Sequence, residues 1–514
     1  MHIYNAADKR TPPALVLDTR PEWVRLYQTA WEMAESNIDN NLPEGWKPQQ
    51  TCMPGVGITW VWDSCFMTHY ARYSNGFVPI MNNLDNLYRL QREDGYISMA
   101  YVQKTGTPAY GERVNPPLFA WAEDQYAKVT GDVSRIPSVL PHLIRLFDWH
   151  KSQRRRENGL YWFEDSGSTG MDNAPRSGYM AKNQDGSDIC HIDMAGQQAL
   201  AAESIVSLAK RIGDLDTAKR FAAEYEEIKQ RVNEVHWNER TGFYYDVFNR
   251  TGGNHLRANH VNHKTAAAFW TLTAGLCSEQ QAERLVREHL TNPNEFWTRH
   301  PVATLSKDDP NYDVDGGYWL GGVWAPTNYM IVEGLNRYGY HSIARELVSL
   351  HIERMVEVMN HPDYQGIWEC YSPEFAKPST NAKYELCRPN FVGWTGLGPI
   401  AMLIETHMGI RIKDGAKQIH WCVNETGRHG IQNLSLEHNE ISLICNGISA
   451  DTIQIEVKNQ QPLLLELHIP HWNQQEAISL KAGSHQHTIR RKDRTNSKEL
   501  LGDLGLGSDG KPLP

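Results

Sequence analysis

Apolar residues recur at helical spacing along most of this chain. The recurrence predicts helices over 22 to 37, 63 to 74, 77 to 93, 117 to 130, 136 to 153, 193 to 212, 215 to 235, 264 to 275, 279 to 290, 321 to 338, 340 to 359 and 393 to 408. Asp214 or Asp216 ahead of TAKRF and Ser278 ahead of EQQAERL read as N-caps, and Gly131, Gly213 and Gly339 as stops. Helices in antiparallel pairs form either an open solenoid or a closed ring. A solenoid carries a sequence period, and none is visible here. The longest loops carry the Trp, Gly and acidic clusters, as expected where loops at one end of a ring build one pocket. The pattern predicts an (α/α)6 barrel over 1–414. Beyond it, LSLEHNEISLICNG, DTIQIEVKN and PLLLELHIP change to β-prone texture broken by Asn, Gly and Pro, which predicts a small antiparallel β domain over 415–492. A Gly- and charge-rich tail over 493–514 is expected to be loosely held.

Composition narrows the function classes. With 514 residues, the chain buries a large core and holds two or more domains. The formal net charge of −10 is scattered, with no long basic tract, so nucleic acid and anionic membrane surfaces are not expected partners. The N-terminus lacks a signal-peptide pattern and no stretch reaches membrane-span length, which points to the cytoplasm. Eight widely spaced cysteines without a CxxC pair suggest neither zinc nor a disulfide framework. In HVNHK, His260 and His263 lack a third ligand at helical spacing, so no metal and no cofactor is expected. Neither a heptad pattern nor an apolar seam indicates an oligomeric state.

Two loops carry the candidate chemistry. SGSTGMDNAPR, 166 to 176, places Asp172 in a Gly-, Asn- and Pro-rich loop with Arg176 behind it. GIWECYSPE, 366 to 374, places Glu369 between Trp368 and Tyr371. Two carboxylates are what glycosidic cleavage requires: one protonates the leaving oxygen, the other activates water or attacks the anomeric carbon. The 17 Trp and 22 Tyr against 12 Phe favour rings with a polar edge, suited to sugar. Each residue also has a plainer role: Asp172 in a turn, Asp63 as a helix cap, Arg176 as an ion-pair partner, and the rings as core.

WVWDSCF at 60 to 66, GYISMAY and NPPLFAW within 95 to 121, SGSTGMDNAPR, GGYWLGGVWAP at 316 to 326, WECYSP at 368 to 373 and NFVGWTG at 390 to 396 stand in an order that resembles glycoside hydrolase family 63. More broadly, the chain is similar to the clan that this family shares with trehalases, including mannosylglycerate and glucosylglycerate hydrolases. The resemblance covers roughly 55 to 410. It implies an inverting α-glycosidase on an (α/α)6 barrel, with Asp172 as general acid and Glu369 as general base. It implies Trp62 and Asp63 at the nonreducing sugar, with Arg176, Trp319, Trp324 and Trp394 completing the pocket, and Glu385 as a further pocket residue. Leu320, where related sequences often have Arg, and the appended β domain depart from the pattern and bear on substrate choice.

The expected substrate is a small carbohydrate in α-linkage, glucose by resemblance. A sugar epimerase on the same barrel would need paired histidines, for which His255, His260 and His263 are candidates. A phosphorylase would need a phosphate site, and none is evident. A sugar-binding pseudoenzyme would not need both carboxylates in one cavity.

Overall fold

The structure, a computed structural model, describes residues 11–176, 186, 188–249, 260–436 and 439–492. The expected tail at 493–514 and His255 lie outside the described residues.

Among the described residues, twelve helical segments form the larger part. They are α1 (Pro21–Ser36), α2 (Val61–Ala71), α3 (Met81–Arg89), α4 (Phe119–Thr130), α5 (Ile136–Gln153), α6 (Ile192–Arg211), α7 (Leu215–Val235), α8 (Trp270–Thr273), α9 (Glu279–Arg284), α10 (Ala325–Arg337), α11 (His341–Asn360) and α12 (Gly398–His407). A 3₁₀ turn, Ala266–Phe269, leads into α8, α9 runs on into a π-helical stretch, Leu285–Leu290, and a second 3₁₀ turn, Trp394–Leu397, leads into the π-wound α12. The local signals act as expected. Asp214 accepts from the Thr217 N–H, Ser278 and Gln281 complete a capping box, and Gly131 takes the left-handed conformation that ends α4.

The helix contacts run in a circuit. α2 packs on α4, α4 on α6, α6 on α8, α8 on α10, α10 on the Trp394–Leu397 turn, and that turn on α2 again. These segments are heavily buried: all eleven residues of α2 are, whereas α7 buries one stripe of Ala218, Phe221, Ile228, Val232 and Val235. A helix buried all round belongs inside, and one with a single apolar stripe belongs outside. α7 packs on α6, and α11 on α10 and α12. No helix among the described residues is long and apolar enough to cross a membrane.

The C-terminal region is β-rich and departs from expectation in two ways. First, it reaches past the bounds 415–492. Ile410–Lys413 is already a strand, and Ala14–Leu17 pairs antiparallel with His429–Leu436 as the edge of a five-stranded sheet. Three apolar residues in succession, Leu15, Val16 and Leu17, are buried there, too short a run to read as a strand from periodicity. Second, it is not wholly antiparallel: in the four-stranded sheet, Gln418–Cys422 runs parallel to Leu463–Ile469. The antiparallel expectation is corrected at that pair, because the strands between them join the other sheet.

Candidate active site

Three loops meet at the starts of the inner helices. Asn173, next to Asp172, ties the first loop to the second: its Nδ2 donates to Gly317 O at 2.9 Å and its Oδ1 accepts from the Trp319 N–H at 2.9 Å. The second loop is tied to the third by the reciprocal backbone pair Val323 and Tyr371, at 2.9 and 3.0 Å. Thr395 Oγ1 donates to Glu369 O at 3.2 Å, which fastens the Trp394 turn to the same segment. Gly170 has φ +77° and lies against Trp62, where a Cβ would come within 2.3 Å of the indole. No side chain fits there, so the loop carrying Asp172 lies flat on the Trp62 ring.

Glu369 is 3 % exposed. Its Oε1 accepts from the Tyr318 hydroxyl at 3.1 Å, and its Oε2 from the Arg388 backbone N–H at 3.3 Å. Burial raises its pKa above the usual carboxylate value and the nearby Asp172 charge adds to this; the Arg388 N–H, the Tyr318 hydroxyl and the Arg388 charge oppose it. Asp172 is half-buried. Asp63, in the first turn of α2, is 2 % exposed and pushed up to about 7, chiefly by burial, with the charges of Glu369 and Asp172 adding. Three carboxylates are thus close enough to feel one another.

Trp62, Trp319, Trp324 and Trp394 pack together as one aromatic cluster, with Trp324 fully buried. Trp319 stacks on Trp324 at 4.4 Å and 7°, Trp394 meets Trp62 edge-on at 5.2 Å and 90°, and Trp62 leans on Trp319 at 6.2 Å. Behind it lies a cavity of about 20 Å³, room for a water molecule, lined by Trp62, Met171, Asp193, Trp270, Trp319 and Thr327 among others.

Two expected site residues stand elsewhere. Arg176 does not offer its guanidinium to a sugar. Nη1 and Nη2 bind Asp193 at 2.5 and 2.7 Å, Nε and Nη2 bind Asp246 at 2.7 Å each, and Nη1 also faces Met171 Sδ at 3.9 Å. All five N–H directions are taken, so Arg176 anchors the Asp172 loop to α6 and to the 243–248 segment. Glu385 lies on an exposed loop tip, within reach of Asn381, beside Tyr384 at 79 % exposure. The turn formed by Asn381 and Tyr384 carries it outward. Neither histidine of HVNHK joins the carboxylates: His260 Nε2 is bound to Val235 O and His263 Nδ1 to Asp309.

Sequence reasoning missed Tyr318, whose hydroxyl holds Glu369, and Cys52, whose thiol meets Asp63 Oδ1 at 2.8 Å. Tyr318 has φ +70°, unusual for a ring-bearing residue. Its place after Gly316 and Gly317 was the available signal.

The family model described as mannosylglycerate hydrolase MGH1-like glycoside hydrolase domain matches residues 57–385, and the chain belongs to that family. An uncharacterized protein of Borreliella burgdorferi is 29 % identical over 391 residues, covering 74 % of this chain and 78 % of that protein. A cytosolic neutral trehalase of Kluyveromyces lactis is 33 % identical over 144 residues, 27 % of this chain and 18 % of its own length. Among solved structures, the glycoside hydrolase family 63 mannosylglycerate hydrolase of Thermus thermophilus, in complex with glucose, superposes with a TM-score of 0.58 at 18 % identity, over 73 % of this chain and 99 % of that one.

Proposed function

We propose that this chain is an inverting α-glycosidase on an (α/α)6 barrel, acting on a small α-glycoside, with glucose the favoured sugar. The observation that carries the reading is buried Glu369, held by the Tyr318 hydroxyl and the Arg388 N–H and near enough to Asp63 and Asp172 to feel their charge, beside a cluster of four tryptophans. Family membership supports hydrolysis, and the helix circuit supports the barrel.

In this reading Asp172 protonates the leaving oxygen and Glu369 takes a proton from the attacking water. Asp63 accepts hydrogen bonds from sugar hydroxyls. The Tyr318 hydroxyl and the Arg388 N–H suit Glu369 to its role, since both donate to a carboxylate and so favour the ionised base. Burial works against ionisation, and the consequence is an acid limb of activity above the usual glutamate value. Inversion requires the two catalytic carboxyls to stand about 6.5–9.5 Å apart, with water between.

The test is a panel of α-glucosides and α-mannosides, including trehalose, nigerose, kojibiose and the glycerate glycosides, with the first-formed anomer followed by proton NMR. A β-anomer from an α-substrate is expected. Release of the α-anomer would overturn inversion, and no sugar release from any member would count against the substrate class.

A further inference from the structure

Asp63 depends on a group outside every motif of the site. Its Oδ1 accepts from the Cys52 thiol at 2.8 Å, and its own backbone N–H also reaches the carboxylate. The sulfur also lies against the turn that carries Trp394, whose backbone N–H partly offsets the rise in the thiol's pKa. Gly393 leaves the room for this: a Cβ there would fall 2.2 Å from Sγ and 3.1 Å from Cys52 O. Cys52 is 5 % exposed, and burial together with the Asp63 charge keeps the thiol protonated, hence a donor. One sulfur therefore bridges the first turn of α2 and the 3₁₀ turn of Trp394, the two elements whose rings meet edge-on at 5.2 Å.

We infer that Cys52 is a positioning residue: its thiol pins Asp63 Oδ1, leaves the rest of that carboxylate for sugar hydroxyls, and fixes Trp394 relative to it. The inference rests on the proposed role of Asp63 as a sugar contact. It has a consequence that packing alone lacks. The thiol donates to Asp63 and so favours its charged form, against burial and against the facing carboxylates of Glu369 and Asp172. Without the donor, Asp63 keeps its proton to higher pH.

The test compares Cys52→Ala and Cys52→Ser with the parent, using kcat/KM across the acid limb, thermal melting, and calorimetric binding of the released sugar. Cys52→Ala is expected to lower kcat/KM about tenfold, the order of one hydrogen bond to a charged group, to weaken sugar binding, and to move the acid limb upward. Cys52→Ser keeps a donor and an acceptor and is expected to restore most of both. Parent-like limbs in both variants would overturn the inference, as would a loss in Cys52→Ala that lowers melting but leaves the limb in place. Glu369→Gln separates the two readings: if that variant still hydrolyses glycosides, the proposed mechanism fails whatever Cys52 does.

Discussion

Two groups of buried acids lie within one loop of each other and are treated in opposite ways. Asp193 and Asp246 share Arg176, which gives each of them two hydrogen bonds. Asp63 and Glu369 are buried as deeply, yet their hydrogen bonds come from a thiol, a phenol and backbone N–H groups, and each feels other carboxylates. Carboxylates that share a buried guanidinium serve as scaffold. Carboxylates held by neutral donors in a dry setting cost stability and keep their proton affinity adjustable, which acid–base chemistry needs.

This contrast can be broken by substitution. The largest effect is expected at the proposed catalytic pair: Asp172→Asn and Glu369→Gln should each lower kcat by about 10²–10⁴, the usual worth of general acid or base catalysis, with circular dichroism unchanged and melting not lowered. Arg176→Met should do the reverse of that separation. It leaves Asp193 and Asp246 without their cation, so a loss of about 3–5 kcal/mol in unfolding free energy is expected by denaturant titration. A parent-like stability would return Arg176 to the list of substrate contacts.

Asp63→Asn sharpens the comparison from the stability side. With a folded pKa near 7 against an ordinary value of 3.8, Asp63 binds its proton more tightly in the folded state. Its contribution is therefore present at low pH and lost as pH rises through about 7. The amide should raise the melting temperature at pH 8, and raise it less at pH 5, while turnover falls. A gain independent of pH would contradict the assignment. The smallest effect is expected at Glu385, where Glu385→Ala should leave kcat/KM within about twofold, as for most exposed positions.

The longer helices were legible from their apolar periodicity, and two of the starts also from residues whose side chains perform the cap, Asp214 and Ser278. Asp172 and Glu369 stood out as candidates because Gly, Asn, Pro and Trp around an acid mark a loop with a special conformation. What pairs with what was not. Arg176 follows Asp172 by four residues, and its two partners come from 17 and 70 residues further on; spacing along the chain carries no trace of that. Glu385 lies close in sequence to the base, but proximity along a loop does not decide which way its tip turns. Cys52 escaped for the same reason, since a lone cysteine reads as a small apolar residue until its neighbour across the fold is known.

The strand Ala14–Leu17 pairs with His429–Leu436. On the ribosome that strand emerges more than four hundred residues of synthesis before its partner, leaving Leu15, Val16 and Leu17 uncovered meanwhile. The delay makes this segment prone to aggregation during synthesis. It also makes chains that stop short of residue 429 the ones a protease should find first.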